Sequence, residues 1–179
     1  MSFKLPTIYL GGAIRDNRPE DILWREEVIR ELQGFAVFIN PLAGQVYHPE
    51  TDTWTTYNDT LAPSNYLVKK DFHNVDKSDI LIVNFNCLME GYPTIGSLIE
   101  FGRATKSSSL LFSIIDPDYR GHGHKGMYNL HPFIKENSAM VFKDVPSCVS
   151  FVRGELKATS GLDPHYAGAM IPKGGFAKV

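Results

Sequence analysis

Thr7-Ile8-Tyr9-Leu10-Gly11-Gly12 is the stretch whose reading decides the fold. Its first four residues form a short apolar run of strand length, and the run passes straight into paired glycines. Pro19 then stands at a first helical position, with Glu20 and Asp21 in the first turn, where the helix dipole favours acids. The spacing predicts a helix to about Leu32, ended by Gly34, and a second strand over Ala36–Asn40. The same alternation continues downstream. A helix is expected over 65–77, opened by Ser64, then a strand over Asp79–Phe85 whose Ile80-Leu81-Ile82-Val83 core looks buried on both faces. Gly96–Lys106 reads as a helix, Leu110–Ile115 and Ala139–Phe142 as strands, and Ser147–Lys157 as a last helix. Strands alternating with helices predict an α/β domain, doubly wound, with five parallel strands.

The bulk numbers fit this plan. A chain of 179 residues, 43% hydrophobic, can bury one full core. Residues 1–157 are expected to form a single domain with a long insertion at 42–63, and 158–179 a C-terminal tail. The insertion is polar and aromatic without a clear period, and reads as a structureless loop of the kind that is usually functional. A net charge of −2 points to neither a nucleic acid nor a membrane surface as partner. Two cysteines, Cys87 and Cys148, lie far apart and read as reduced thiols of a cytoplasmic protein. The amino terminus lacks the apolar core of a signal peptide, and the longest apolar runs are too short to span a bilayer.

Ligands of such sheets bind beyond the carboxyl ends of the strands, at the point where strand order reverses. That rule picks out Gly11–Arg18, the loop after Phe85 and the loop after Ile115, and three groups of residues along the chain could carry chemistry. The turn Gly11-Gly12-Ala13-Ile14-Arg15-Asp16-Asn17-Arg18 lets backbone amides approach a ligand, and Arg15 and Arg18 can grip an anion. It reads equally as a tight turn with solvated arginines. Asp71 lies on the stripe marked by Leu67, Val68, Phe72 and Val75, where an acid is costly unless bonded or used. Glu100 has Gly96 and Ala104 four residues either side, which leaves room above its carboxylate; close helix packing would use the same small residues. Two carboxylates on adjacent helices can divide the cleavage of a glycosidic bond, one as nucleophile and one as acid. On that reading Glu100 attacks and Asp71 protonates the leaving group.

Taken in order, Ile8-Tyr9-Leu10-Gly11-Gly12, Asp71 with Asp79-Ile80-Leu81, and Gly96-Ser97-Leu98-Ile99-Glu100-Phe101-Gly102-Arg103-Ala104 resemble the nucleoside 2-deoxyribosyltransferase-like family. The resemblance spans most of residues 7–155. It implies a flavodoxin-like fold with helices on both faces, Glu100 as covalent nucleophile, Asp71 as its acid–base partner and Tyr9 as the residue that orients Glu100. It also implies a homo-dimer or larger homo-oligomer with shared sites. Where the family's transferases carry an aspartate, this chain has Thr94. That change, and the Gly12-Ala13-Ile14-Arg15 turn, are similar to a related branch that hydrolyses deoxynucleoside 5′-monophosphates, whose phosphate Thr94 could bond. The expected substrate is therefore a nucleoside or nucleotide, bound by Gly11, Gly12, Ile14, Arg15, Arg18, Thr94, Gly96 and Ser97. No metal or other cofactor is needed for that chemistry. A non-catalytic nucleotide-binding module is the alternative from another class. Asp116-Pro117-Asp118-Tyr119-Arg120-Gly121-His122-Gly123-His124 offers metal-type ligands without a spacing that fixes a geometry, and reads as a loop over the strand ends. Trp24 reads as core, whereas Trp54 and Tyr57 either stack a base or pack the long loop.

Overall fold

The first strand, β1 (Thr7–Gly12), lies inside a parallel sheet, as its unbroken apolar character requires. A computed structural model describes residues 4–14, 18–42, 45–48, 53–56, 64–92, 94–107, 109–116 and 131–160. Along them run α1 (Glu20–Leu32), β2 (Val37–Ile39), β3 (Gln45–His48), β4 (Thr53–Thr56), α2 (Ser64–Asp76), β5 (Ile80–Asn84) and α3 (Asn86–Met89). Then come α4 (Ile95–Ala104), β6 (Leu110–Ile114), α5 (Pro132–Asn137), β7 (Met140–Phe142) and α6 (Val145–Ser160). Five strands pair in the order β2-β1-β5-β6-β7, and every pairing is parallel. The chain winds outward through β2 and then back through β5, β6 and β7, so the sheet is doubly wound in the flavodoxin-like manner. The reversal falls between β1 and β5, and that is where a ligand crevice belongs.

Alternation along each strand divides the core in two. Ile8, Leu10, Ile80, Ile82, Phe112 and Ile114 face α1 and α6, meeting Trp24, Val28, Leu32, Val149 and Val152. Tyr9, Leu81, Val83 and Leu111 face the other way, toward Val75 of α2, Phe101 and Ala104 of α4, and Ile134 of α5. Phe101 is fully buried, edge-on to Phe85 at 5.6 Å and to Phe133 at 6.3 Å between ring centroids. Truncating such a ring to alanine costs about 3–5 kcal/mol, which makes α4, and Glu100 beside Phe101, a firmly seated element.

Local chemistry sets the boundaries. Pro19 stands directly before α1, and Gly34 takes the left-handed φ of 85° that stops it. Asp144 accepts the Ser147 amide at 2.7 Å and so opens α6 two residues earlier than expected. Two expectations need correction. The insertion is not structureless: β3 and β4 pair antiparallel as a two-stranded sheet of their own. Its alternation is short and polar, so period alone did not reveal it. The stripe on α2 is also only partly a core face. Val75 is buried, but Leu67 and Val68 stand about half exposed, because only the later part of the helix is covered by the domain.

Candidate active site

The crevice at the strand reversal holds a cleft of about 390 Å³, walled by Gly12, Ala13, Ile14, Pro41, Asp71, Tyr92, Thr94, Ile95, Gly96, Ser97 and Glu100. A volume near the lower end of the small-ligand range suits a metabolite rather than a macromolecule. β1 contributes through the Gly12 turn, β2 through Pro41 just beyond its end, α2 through Asp71 in its middle and α4 through its first turns.

Glu100 lines the cleft together with Asp71. Tyr9, fully buried in the sheet, donates its phenol hydrogen to Glu100 Oε1 at 2.8 Å. Burial, and then the adjoining Glu100 charge, push the Tyr9 phenol far above its usual range, so it remains a donor. Glu100 itself is pushed up to about 7, mainly by burial and further by Asp71. The Tyr9 hydrogen bond and the Arg25 charge pull the other way. A carboxyl held there is half ionised at neutral pH, the condition in which a group both accepts and returns protons well. Asp71, half-buried across the cleft, is also raised, by burial, with Lys70 opposing.

The glycines earn their places by close approach. A Cβ on Gly11 would stand 3.4 Å from Glu100 Oε2, and one on Gly12 would stand 3.1 Å from both Arg25 Nη2 and Trp24 Cζ2. Gly96 differs, since a Cβ there meets nothing within 4 Å and would project into open space. Thr94 precedes α4 without capping it, and both Thr94 and Ser97 are 5% exposed. Among the described residues, neither hydroxyl has a hydrogen-bond partner.

The expected site residues therefore divide. Tyr9, Gly11, Gly12, Ile14, Asp71, Thr94, Gly96, Ser97 and Glu100 converge on one place. Arg18 does not wall the cleft; it pairs with Glu90 at 2.8 Å and ties the first turn to the end of α3. Arg15, Tyr57, the loop 117–130 with His122 and His124, and the tail from 161 lie outside the described residues, as does the ring of Trp54. No group of three or more His, Cys, Asp or Glu among the described residues could hold a metal ion. Arg25, Tyr92 and Pro41 were not anticipated. Arg25 could have been found, because it sits three residues from both Ile22 and Val28 on the buried stripe of α1.

Comparison with known proteins alters the family expectation. No family model matches the chain, and no curated protein matches it. Among solved structures, similarity is found to the sugar isomerase domain of an RpiR transcription factor from Sphaerobacter thermophilus, 9% identical, TM-score 0.45, covering 91% of this chain and 74% of that one. A candidate sugar-phosphate isomerase from Listeria monocytogenes is 12% identical, TM-score 0.45, over 93% of this chain and 76% of that one. The Trp repressor binding protein of Bacillus subtilis is 14% identical, TM-score 0.30, over 88% and 99%. Sugar-isomerase proteins thus stand where nucleoside 2-deoxyribosyltransferases were expected. Membership of that family is withdrawn, and with it N-glycosidic bond cleavage by transfer or hydrolysis, the glutamyl–deoxyribose intermediate and the nucleotide-binding module. The quoted motifs are short, and a strand running into paired glycines or a carboxylate among small residues is something many α/β crevices need. Likenesses this remote lend no function of their own. The class that fold and site define is an α/β domain with a carboxylate-centred small-molecule cleft.

Proposed function

We propose that the cleft binds a small, hydroxylated anion of the sugar-phosphate class, and that Glu100 moves a proton on it. The observation that carries this reading is the Tyr9–Glu100 pair: a carboxyl fixed by a 2.8 Å hydrogen bond, held at about 7, and open to the cleft. Interconversion of an aldose phosphate and its ketose needs one group that carries a proton from one carbon to its neighbour and a second that passes the hydroxyl proton from one oxygen to the other. Glu100 suits the first task and Asp71, the second carboxyl of the cleft, the other. The anionic end fits the opening of α4, where first-turn amides, the helix dipole and the hydroxyls of Thr94 and Ser97 meet. Ile14, Pro41, Tyr92 and Ile95 supply apolar walls for the carbon skeleton.

Calorimetry with a panel of sugars and their phosphates tests the binding half. Phosphates should bind, their unphosphorylated parents should bind far more weakly, and Thr94→Ala with Ser97→Ala should narrow the difference, leaving what the amides and the dipole supply. Equal affinity for both members of every pair would refute the anion subsite.

The oligomer belongs to the same proposal. Tyr66, Leu67 and Val68 of α2 and Tyr92, Ile95 and Ile99 at α4 are all 45–64% exposed, and Tyr92 and Ile95 also wall the cleft. Large apolar side chains clustered at a site mouth mark a surface that is covered. A second copy of this chain, set against the face of α2 and α4, covers it and narrows the cleft. No helix among the described residues is long and apolar enough to cross a membrane. The two cysteines are buried thiols rather than a disulfide, which supports the cytoplasmic placement.

A further inference from the structure

We propose that Arg25 is a positioning residue that sets the place and the charge of the Tyr9–Glu100 pair from behind the sheet. The inference begins at an edge. β2 pairs with β1 only as far as Tyr9, opposite Ile39, whereas β5 accompanies β1 to Gly12. Alternate carbonyls of a strand point to the same edge. Those of Leu10 and Gly12 therefore face the space that β2 has vacated.

Arg25 fills it. Its Nε donates to the Leu10 carbonyl at 3.2 Å, its Nη2 to the Gly12 carbonyl at 2.9 Å, and its Nη1 to the Asp21 carbonyl one turn back. The planar fork thus replaces a strand's amides for two carbonyls that would otherwise be buried and unmet. Trp24 lies against the guanidinium, 4.7 Å from ring centroid to Cζ. Gly12 is bare because Arg25 and Trp24 close over it.

A buried guanidinium is costly, and a lone structural duty at a sheet edge can be met by uncharged groups. Here the cation has the carboxyls of Glu100 of α4 and Asp21 of its own helix around it, with the neutral Tyr9 phenol of β1 and the Cys87 thiol of α3. From the other side, Glu100 faces Tyr9, Asp71 of α2 and Arg25. Arg25 is the one cation in that set. It draws Glu100 toward its ionised form while burial and Asp71 push it toward the neutral one. Through the Leu10 and Gly12 carbonyls the same side chain holds the strand residues that flank Gly11, against which Glu100 Oε2 packs.

The role in proton transfer rests on the proposed function, but the coupling is measurable with no ligand present. Side-chain carboxyl carbons are followed by NMR across pH in the full chain, with Glu100→Gln assigning the Glu100 signal. The expected midpoint lies near 7 in the native protein. In Arg25→Met it should move up by roughly half a unit or more, and Arg25→Lys should recover part of that shift. In the native protein the Arg25 Nε–H signal should move with the same midpoint, and that movement should vanish in Glu100→Gln. An unchanged midpoint in folded Arg25→Met overturns the inference. If that variant does not fold, an Arg25 signal blind to the Glu100 titration overturns it instead. A failed ligand panel with coupling intact would sink the function and leave Arg25's role standing.

Discussion

Replacing Glu100 by glutamine should stabilise the protein, and more so as pH rises. The carboxyl lies at about 7 in the folded chain against 4.5 for an unperturbed glutamate. Between those values the folded state holds a proton that the unfolded state has released, so stability falls as pH climbs through that window. The contribution is fully present below about 4.5 and gone above about 7. Each pH unit of displacement is worth about 1.4 kcal/mol, so the whole effect is about 3 kcal/mol at most. Glutamine keeps the oxygen that accepts the Tyr9 hydroxyl and cannot ionise. Asp71 is raised in both proteins and largely cancels in the comparison.

Urea unfolding of both proteins, near pH 5 and near pH 8.5, gives the number. The variant's advantage over the native chain should grow by about 2–3 kcal/mol between those conditions. A difference that stays flat across them would show that Glu100 is not held at a raised value, and the reasoning about a buried, poised carboxyl would fail.

Three further outcomes follow from the same geometry. Tyr9→Phe deletes the donor at 2.8 Å from Glu100, and the Glu100 midpoint should rise by roughly one unit, read from the same carboxyl signals. Gly96→Leu adds a side chain where nothing lies within 4 Å; the melting temperature should hold or rise slightly, while affinity for the phosphate ligand falls at least about tenfold by calorimetry. Ile99→Asp places a charge on the exposed face of α4, and sedimentation should show a monomer, whereas the proposed pairing of two copies requires the native chain to run as a dimer.

How much of this could be read from the chain depends on where each signal lives. β1 and β5 were legible because strands buried on both faces are written as unbroken apolar runs, and Gly34 announced the end of α1. Asp71 and Glu100 stood out because a carboxylate on a core-facing stripe or between small residues needs a reason. Their meeting with Tyr9 depends on how far β1 lies from α2 and α4 in space, which no local period encodes. Arg25 went unread although it sits on the buried stripe of α1, since a charged residue there is ordinarily taken for a solvated one. The β3–β4 hairpin was missed because its strands carry no apolar alternation. Arg18 pairs with Glu90, far away in sequence, a contact that the turn alone does not encode. The motifs meet at one cleft, but the chemistry they resemble is not the one the comparisons allow.

The most direct test of the central claim is solvent exchange. Aldose and ketose phosphates are incubated with the protein in deuterium oxide, and carbon-bound deuterium is read by proton NMR. Deuterium should appear at the carbon beside the carbonyl, at a rate that rises with pH up to about 7 as Glu100 ionises and then levels, and none should appear with Glu100→Gln. A phosphate that binds in the cleft yet exchanges no proton, or exchange that survives in Glu100→Gln, would contradict that claim.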